Sequence, residues 1–65
     1  MKVKIGDTVR VPICEDLLTG SGIVKKTIQK GTVEYVHPEG RFASVRIKSE
    51  TGSFLESFAE EDIRQ

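Results

Sequence analysis

Apolar and polar residues alternate with a period of two along most of the chain. Val3 and Ile5 alternate with Lys2 and Lys4, and Val9, Val11 and Ile13 with Thr8, Arg10 and Pro12. Val33 and Tyr35 alternate with Thr32 and Glu34, and Ala43, Val45 and Ile47 with Ser44, Arg46 and Lys48. This pattern predicts half-buried strands with one face inward and one face wet, and the Val, Ile and Thr content supports it. No window of a dozen residues keeps a helical period. Only 57–63 suits a short helical turn, with Ser57 as its cap.

Two turns fix a register between the later strands. His37-Pro38-Glu39-Gly40 carries Pro where φ near −65° is wanted and Gly where a three-residue loop needs positive φ. Ser49-Glu50-Thr51-Gly52 repeats the arrangement without the Pro, and each Gly is placed to form a G1 bulge. Pairing His37 with Arg41 sets Val36 against Phe42, Tyr35 against Ala43 and Val33 against Val45. Pairing Ser49 with Ser53 sets Ile47 against Leu55, Arg46 against Glu56 and Lys48 against Phe54. The core face then holds Val33, Tyr35, Ala43, Val45, Ile47 and Leu55. The wet face collects Val36, Phe42, Phe54 and Phe58, an apolar surplus. A one-residue slip in the last hairpin sends Phe54 and Phe58 inward and Leu55 outward, and the sequence leaves both registers open. Between Ile13 and Gly31 the alternation weakens, and the segment 14–22, with Leu17 and Leu18, reads as a long loop. Loops of that length are often functional, but Leu17 and Leu18 are equally placed to cover an open end of the core.

With 65 residues the chain is a single domain, 1–65, and so short a domain buries a small core. One Cys excludes an internal disulfide, and one Cys with one His excludes a zinc-finger ligand set. The lack of bridges predicts a reducing, cytoplasmic setting. No apolar run suits a signal peptide or a bilayer span. Ten basic residues balance ten acidic ones, which argues against strong non-specific binding to nucleic acid. The distribution says more than the sum: residues 1–48 hold nine bases against five acids, and residues 49–65 one base against five acids. The expected register lays the acidic last strand beside the basic third one, which predicts internal neutralisation with Arg46–Glu56 as its cross-strand pair.

Catalytic candidates are few. His37 is a general base by residue type but stands on a turn. Cys14 adjoins Glu15 and Asp16, which disfavour a thiolate. Glu56, Glu60, Glu61 and Asp62 are oxygen-rich, but three are consecutive and diverge on a turn, so they read as solvated charge. The sequence therefore predicts no catalytic residue, metal or cofactor.

Three motifs carry a resemblance. Lys4-Ile5-Gly6-Asp7-Thr8-Val9-Arg10-Val11 resembles the K-x-G-D-x-V-x-V opening of SH3-like barrels of the KOW and Tudor-like type. Gly31-Thr32-Val33-Glu34-Tyr35-Val36 resembles their G-x-V-x-x-V second strand. Phe58-Ala59-Glu60-Glu61-Asp62-Ile63 resembles their closing V-P-x-x-D-L segment. The segment 30–58 is also similar to short uncharacterised proteins of bacterial mobile elements and prophages. The resemblance implies an all-β fold: a five-stranded SH3-like barrel with a long loop after the first strand and a short 3-10 turn near the C-terminus. That barrel serves many functions. A proline-peptide groove needs more aromatics than this chain supplies. A methyl-lysine cage needs Tyr35, Phe42, Phe54 and Phe58 to converge, and Tyr35 reads as core. Pro38-Glu39-Gly40 is similar to a turn of the type II dihydrofolate reductases, but the Val-Gln-Ile-Tyr strand of that family is missing.

The apolar surplus thus points to a non-enzymatic, self-associating or partner-binding protein-interaction module, with Leu17, Leu18, Val36, Phe42, Phe54 and Phe58 as its contact surface. The alternative is weak binding of RNA or DNA through Lys25, Lys26, Lys30, Arg46 and Lys48, as in KOW-like domains.

Overall fold

The computed structural model describes residues 2–14, 22 and 25–65. Four strands, β1 (Thr8–Cys14), β2 (Lys26–Val36), β3 (Phe42–Ser49) and β4 (Gly52–Ala59), form one antiparallel sheet in chain order. A 3-10 turn, Glu60–Asp62, follows β4. The expected contact residues Leu17 and Leu18 lie outside the described residues. The fold is all-β, as the alternation predicts.

β2 pairs with β1 from Lys26 to Thr32 and with β3 from Gly31 to Val36. Gly31 is the crossing point, opposite both Val9 and Ile47. A Cβ there would lie 2.4 Å from Val45 Cγ1, 2.6 Å from Ile47 Cδ1 and 2.8 Å from the Arg46 carbonyl oxygen. Only glycine admits so close an approach of the neighbouring strand.

Both ends of the chain fold back onto this frame. Asp7 donates its N–H to the Lys4 carbonyl at 3.0 Å, and its Oδ2 accepts from the Lys4 N–H at 2.9 Å. The turn so formed is pinned to β2, where Gly6 N–H donates to the Val33 carbonyl and Val33 N–H to the Asp7 carbonyl. At the other end, Arg10 and Arg64 exchange both main-chain bonds, at 2.6 and 2.9 Å. β1 is therefore flanked on both sides. The outer edge of β4 has no ladder partner among the described residues.

Val3, Val9, Val11, Ile13, Val33, Ala43, Val45, Ile47 and Phe58 are buried as one cluster, with Val36, Phe54 and Ile63 packed against it. Burying each of the larger side chains contributes roughly 1.5–3 kcal/mol. Two sequence expectations are corrected here. The turn after β2 holds four residues, because His37 N–H bonds the Phe42 carbonyl. Val36 then pairs with Ala43 and Tyr35 with Ser44. Glu34 is the extra residue of a bulge that restores the expected Val33–Val45 pair. The bulge turns Val36 inward and leaves Tyr35, expected in the core, 44% exposed.

The second concerns the loop of the last hairpin, where the structure takes the slipped one of the two registers the sequence leaves open. Gly52 has φ +141°, away from the left-handed value a G1 bulge uses, and pairs directly with Ser49 across a two-residue loop. Every later pair shifts by one: Ile47 faces Phe54, Arg46 faces Leu55 and Ala43 faces Phe58. Phe54 and Phe58 join the core, and Leu55 stands 48% exposed. The continuous apolar surface of Val36, Phe42, Phe54 and Phe58 is thus not formed. Of these, only Phe42 stays on the outer face, with ring centroids 5.9 Å from Tyr35 and 4.9 Å from His37. Ser57 does not cap the 3-10 turn; its hydroxyl lies 3.0 Å from that of Ser44.

Candidate functional site

The face of the sheet turned away from the core carries most of the bases. In β1, Val9, Val11 and Ile13 are buried, so Thr8, Arg10, Pro12 and Cys14 point outward. The β1–β2 register sets Arg10 against Lys30, Pro12 against Ile28 and Cys14 against Lys26. On the far side of Arg10 lies Arg64. On the far side of Lys30, the register through Gly31 and Ile47 brings Lys48 alongside. Arg64, Arg10, Lys30 and Lys48 therefore form one row across the sheet, and all four are exposed. At a strand spacing of about 4.8 Å the row is about 14 Å long.

None of these four side chains makes an ion pair with a described residue. The ion pairs among the described residues join Arg41 to Glu39 at 3.1 Å and Arg46 to Glu34 at 2.8 Å. Like charges directly opposite one another destabilise a sheet, so the row works against the fold it sits on. Beside it, Thr8, Lys30, Gly31, Thr32, Arg46 and Lys48 line a shallow depression of about 180 Å³. Two lysines, two threonines and the Glu34-bonded Arg46 thus border the same depression.

The acids lie elsewhere. The expected Arg46–Glu56 pair does not form, because Leu55 faces Arg46 and Glu56 falls on the opposite face, against Val45. Arg46 bonds Glu34 across the β2–β3 ladder instead, Nε to Oε2 at 2.8 Å and Nη2 to Oε1 at 3.3 Å. Glu60 and Glu61 border an open depression with Gly40 and Arg41, near the β2–β3 turn. Apart from the Arg46–Glu34 pair, the row of bases and the Glu60–Glu61 acids lie in separate regions rather than side by side on paired strands.

The hydrogen bond from Arg46, with its positive charge, holds the Glu34 carboxyl below the ordinary glutamate range, against a smaller opposing effect of burial. The same contact raises the Arg46 guanidinium. A depressed carboxyl contributes stability above its unfolded value of about 4.3 and loses it as pH falls through the lower folded value. Urea unfolding midpoints at neutral and acid pH should therefore drop further for the natural chain than for Glu34→Gln. Equal drops would mean that the pair is not the source.

Of the bases singled out in the sequence, Lys26, Lys30 and Lys48 lie on the outer face, Lys25 is exposed just before β2, and Arg46 is there but bonded to Glu34. Arg10 and Arg64 were missed. Arg10 was legible as the polar partner of Val9 and Val11, but its place beside Lys30 depends on the register across the long β1–β2 connection. Arg64 joins the row only through the return of the chain to β1.

Among the described residues no three His, Cys, Asp or Glu side chains gather as a metal site, and no helix is long and apolar enough to cross a membrane. Comparison with protein-family models, with curated proteins and with solved structures found no match to this chain.

Proposed function

We propose that this chain is a non-enzymatic binding module that holds the phosphate backbone of a nucleic acid against the outer face of its sheet. The observation that carries the reading is the row of Arg64, Arg10, Lys30 and Lys48, side by side and without acidic partners among the described residues. A polyanion converts their mutual repulsion into attraction. Thr8 and Thr32 add hydroxyl donors beside Lys30 and Lys48, a combination suited to phosphate oxygens. Lys26 extends the basic surface along β2. With Tyr35 and Phe42 at the other end of the face, the mode is backbone contact rather than base stacking, and little sequence preference is expected.

The finer fold reading belongs with this proposal. The Lys4–Asp7 turn and the Arg10–Arg64 bridge support a small SH3-like barrel, with 63–65 as a fifth strand along β1. The single cysteine suits a cytoplasmic setting. A second reading, as a protein-interaction module, draws support from Ile28, Tyr35 and Leu55, exposed on the same face.

Fluorescence anisotropy with labelled single-stranded RNA and duplex DNA, at a series of salt concentrations, tests the first reading. Log affinity should fall linearly with log salt, with a slope near −3 for three or four phosphate contacts. No binding at low salt, or binding indifferent to salt, removes it.

A further inference from the structure

The outer edge of β4, which has no ladder partner among the described residues, has a fixed hydrogen-bonding pattern. Arg10 exchanges its main-chain bonds with Arg64, so Val9 and Val11 turn theirs toward β2. Carried across the ladders, Thr32 then bonds Arg46, and Val45 and Ile47 bond Glu56 and Phe54. Ser53, Leu55 and Ser57 therefore direct their N–H and C=O groups away from the sheet. All three residues are exposed. The strand Gly52–Ala59 contains no Lys, Arg or Pro, and its one charge, Glu56, lies on the core face opposite Val45. Of the usual edge protections, the described residues supply one, the inward charge of Glu56, and no Lys, Pro or bulge.

We propose that β4 pairs antiparallel with β4 of a second copy, about a two-fold axis at Leu55, and joins the two sheets edge to edge. The strand is its own complement. The outward-directed residues are symmetric about Leu55, so Ser53 meets Ser57 of the second copy and Leu55 meets its equivalent. All six outward main-chain groups on each strand are then bonded. On the core face Phe54 meets Glu56 of the second copy, so no like charges stand opposite each other. On the outer face two exposed leucines leave water together. Centring the axis on Glu56 would place two carboxylates in direct opposition and turn the wrong main-chain groups toward each other. The proposal is independent of the nucleic-acid reading.

Sedimentation velocity of the full chain, from low micromolar to near-millimolar concentration, should show a monomer–dimer equilibrium. Leu55→Lys sets two like charges opposite each other and should raise the dimer dissociation constant at least about tenfold, with an unchanged circular dichroism spectrum. A gain-of-contact variant guards against trivial misfolding. In a Cys14→Ser background, Leu55→Cys should form a disulfide-linked dimer under mild oxidation, because hydrogen-bonded antiparallel pairs hold Cα atoms about 5.5 Å apart. Glu50→Cys, on the turn, should cross-link far more slowly. A strict monomer at every concentration overturns the proposal. So does a dimer untouched by Leu55→Lys, or cross-linking at position 55 no faster than at position 50.

Discussion

Gly31→Ala is expected to lower the thermal midpoint by more than about 10 °C, at about 4–8 °C per kcal/mol for a domain of this size. The added methyl would sit 2.4 Å from Val45 Cγ1, 2.6 Å from Ile47 Cδ1 and 2.8 Å from the Arg46 carbonyl oxygen. The Ile47 terminus can rotate away, but the β-branched Val45 has little rotamer freedom, and the carbonyl belongs to the β2–β3 ladder. Relief therefore requires β3 to move away from β2 at the position where β2 also pairs with β1. Overpacking of this kind typically costs about 1–3 kcal/mol, and loss of ladder bonds adds to it. Differential scanning calorimetry measures the shift. An unchanged midpoint would show that the sheet is looser at this crossing than the structure makes it.

The second large effect separates binding from folding. Lys30→Glu should weaken nucleic-acid binding at low salt by an order of magnitude or more and reduce the salt slope by about one or more. The same substitution should stabilise the protein, because a carboxylate at position 30 faces Arg10 and adjoins Lys48. A favourable cross-strand pair in place of a repulsive one contributes roughly 0.2–1 kcal/mol. A residue kept for the fold alone would show the opposite: loss of stability and no change in binding. Arg41→Glu makes the same change in net charge beside Glu60 and Glu61, away from the row, and should leave binding nearly intact. Equal weakening by both variants would assign the effect to total charge and sink the row as a site.

The strands and most of the core were legible in the alternation alone. Val33, Ala43, Val45 and Ile47 fell inside as expected, because the side-chain period of a strand leaves them no other face. What was not legible was register. One extra loop residue before Phe42 and one bulged residue, Glu34, cancel at Val33–Val45, so that pair was anticipated while Tyr35 was assigned to the wrong face. In the last hairpin the sequence allowed a loop of two or three residues, and Gly52 could serve either. The burial of two Phe rings against that of one Leu separates the two outcomes, and this is a property of the packed core rather than of the turn. The cation row illustrates the same limit. Its four members are dispersed over 55 residues of sequence, from Arg10 to Arg64, and only pairing between strands assembles them.

Among the described residues every ladder of the sheet joins strands that follow one another in the chain, with one exception, the bridge between Arg10 and Arg64. The hairpins can zip from their turns, but this contact must close a loop spanning most of the molecule, so it forms late and opens early. Amide hydrogen exchange should record this as a gradient: slow at Val45 and Ile47, and fast at Arg10 and Arg64. Because Arg64 stands at one end of the cation row, a bound polyanion would hold that seam shut. The Arg10 and Arg64 amides should then exchange more slowly with ligand present, so the weakest joint of the fold doubles as a reporter of occupancy.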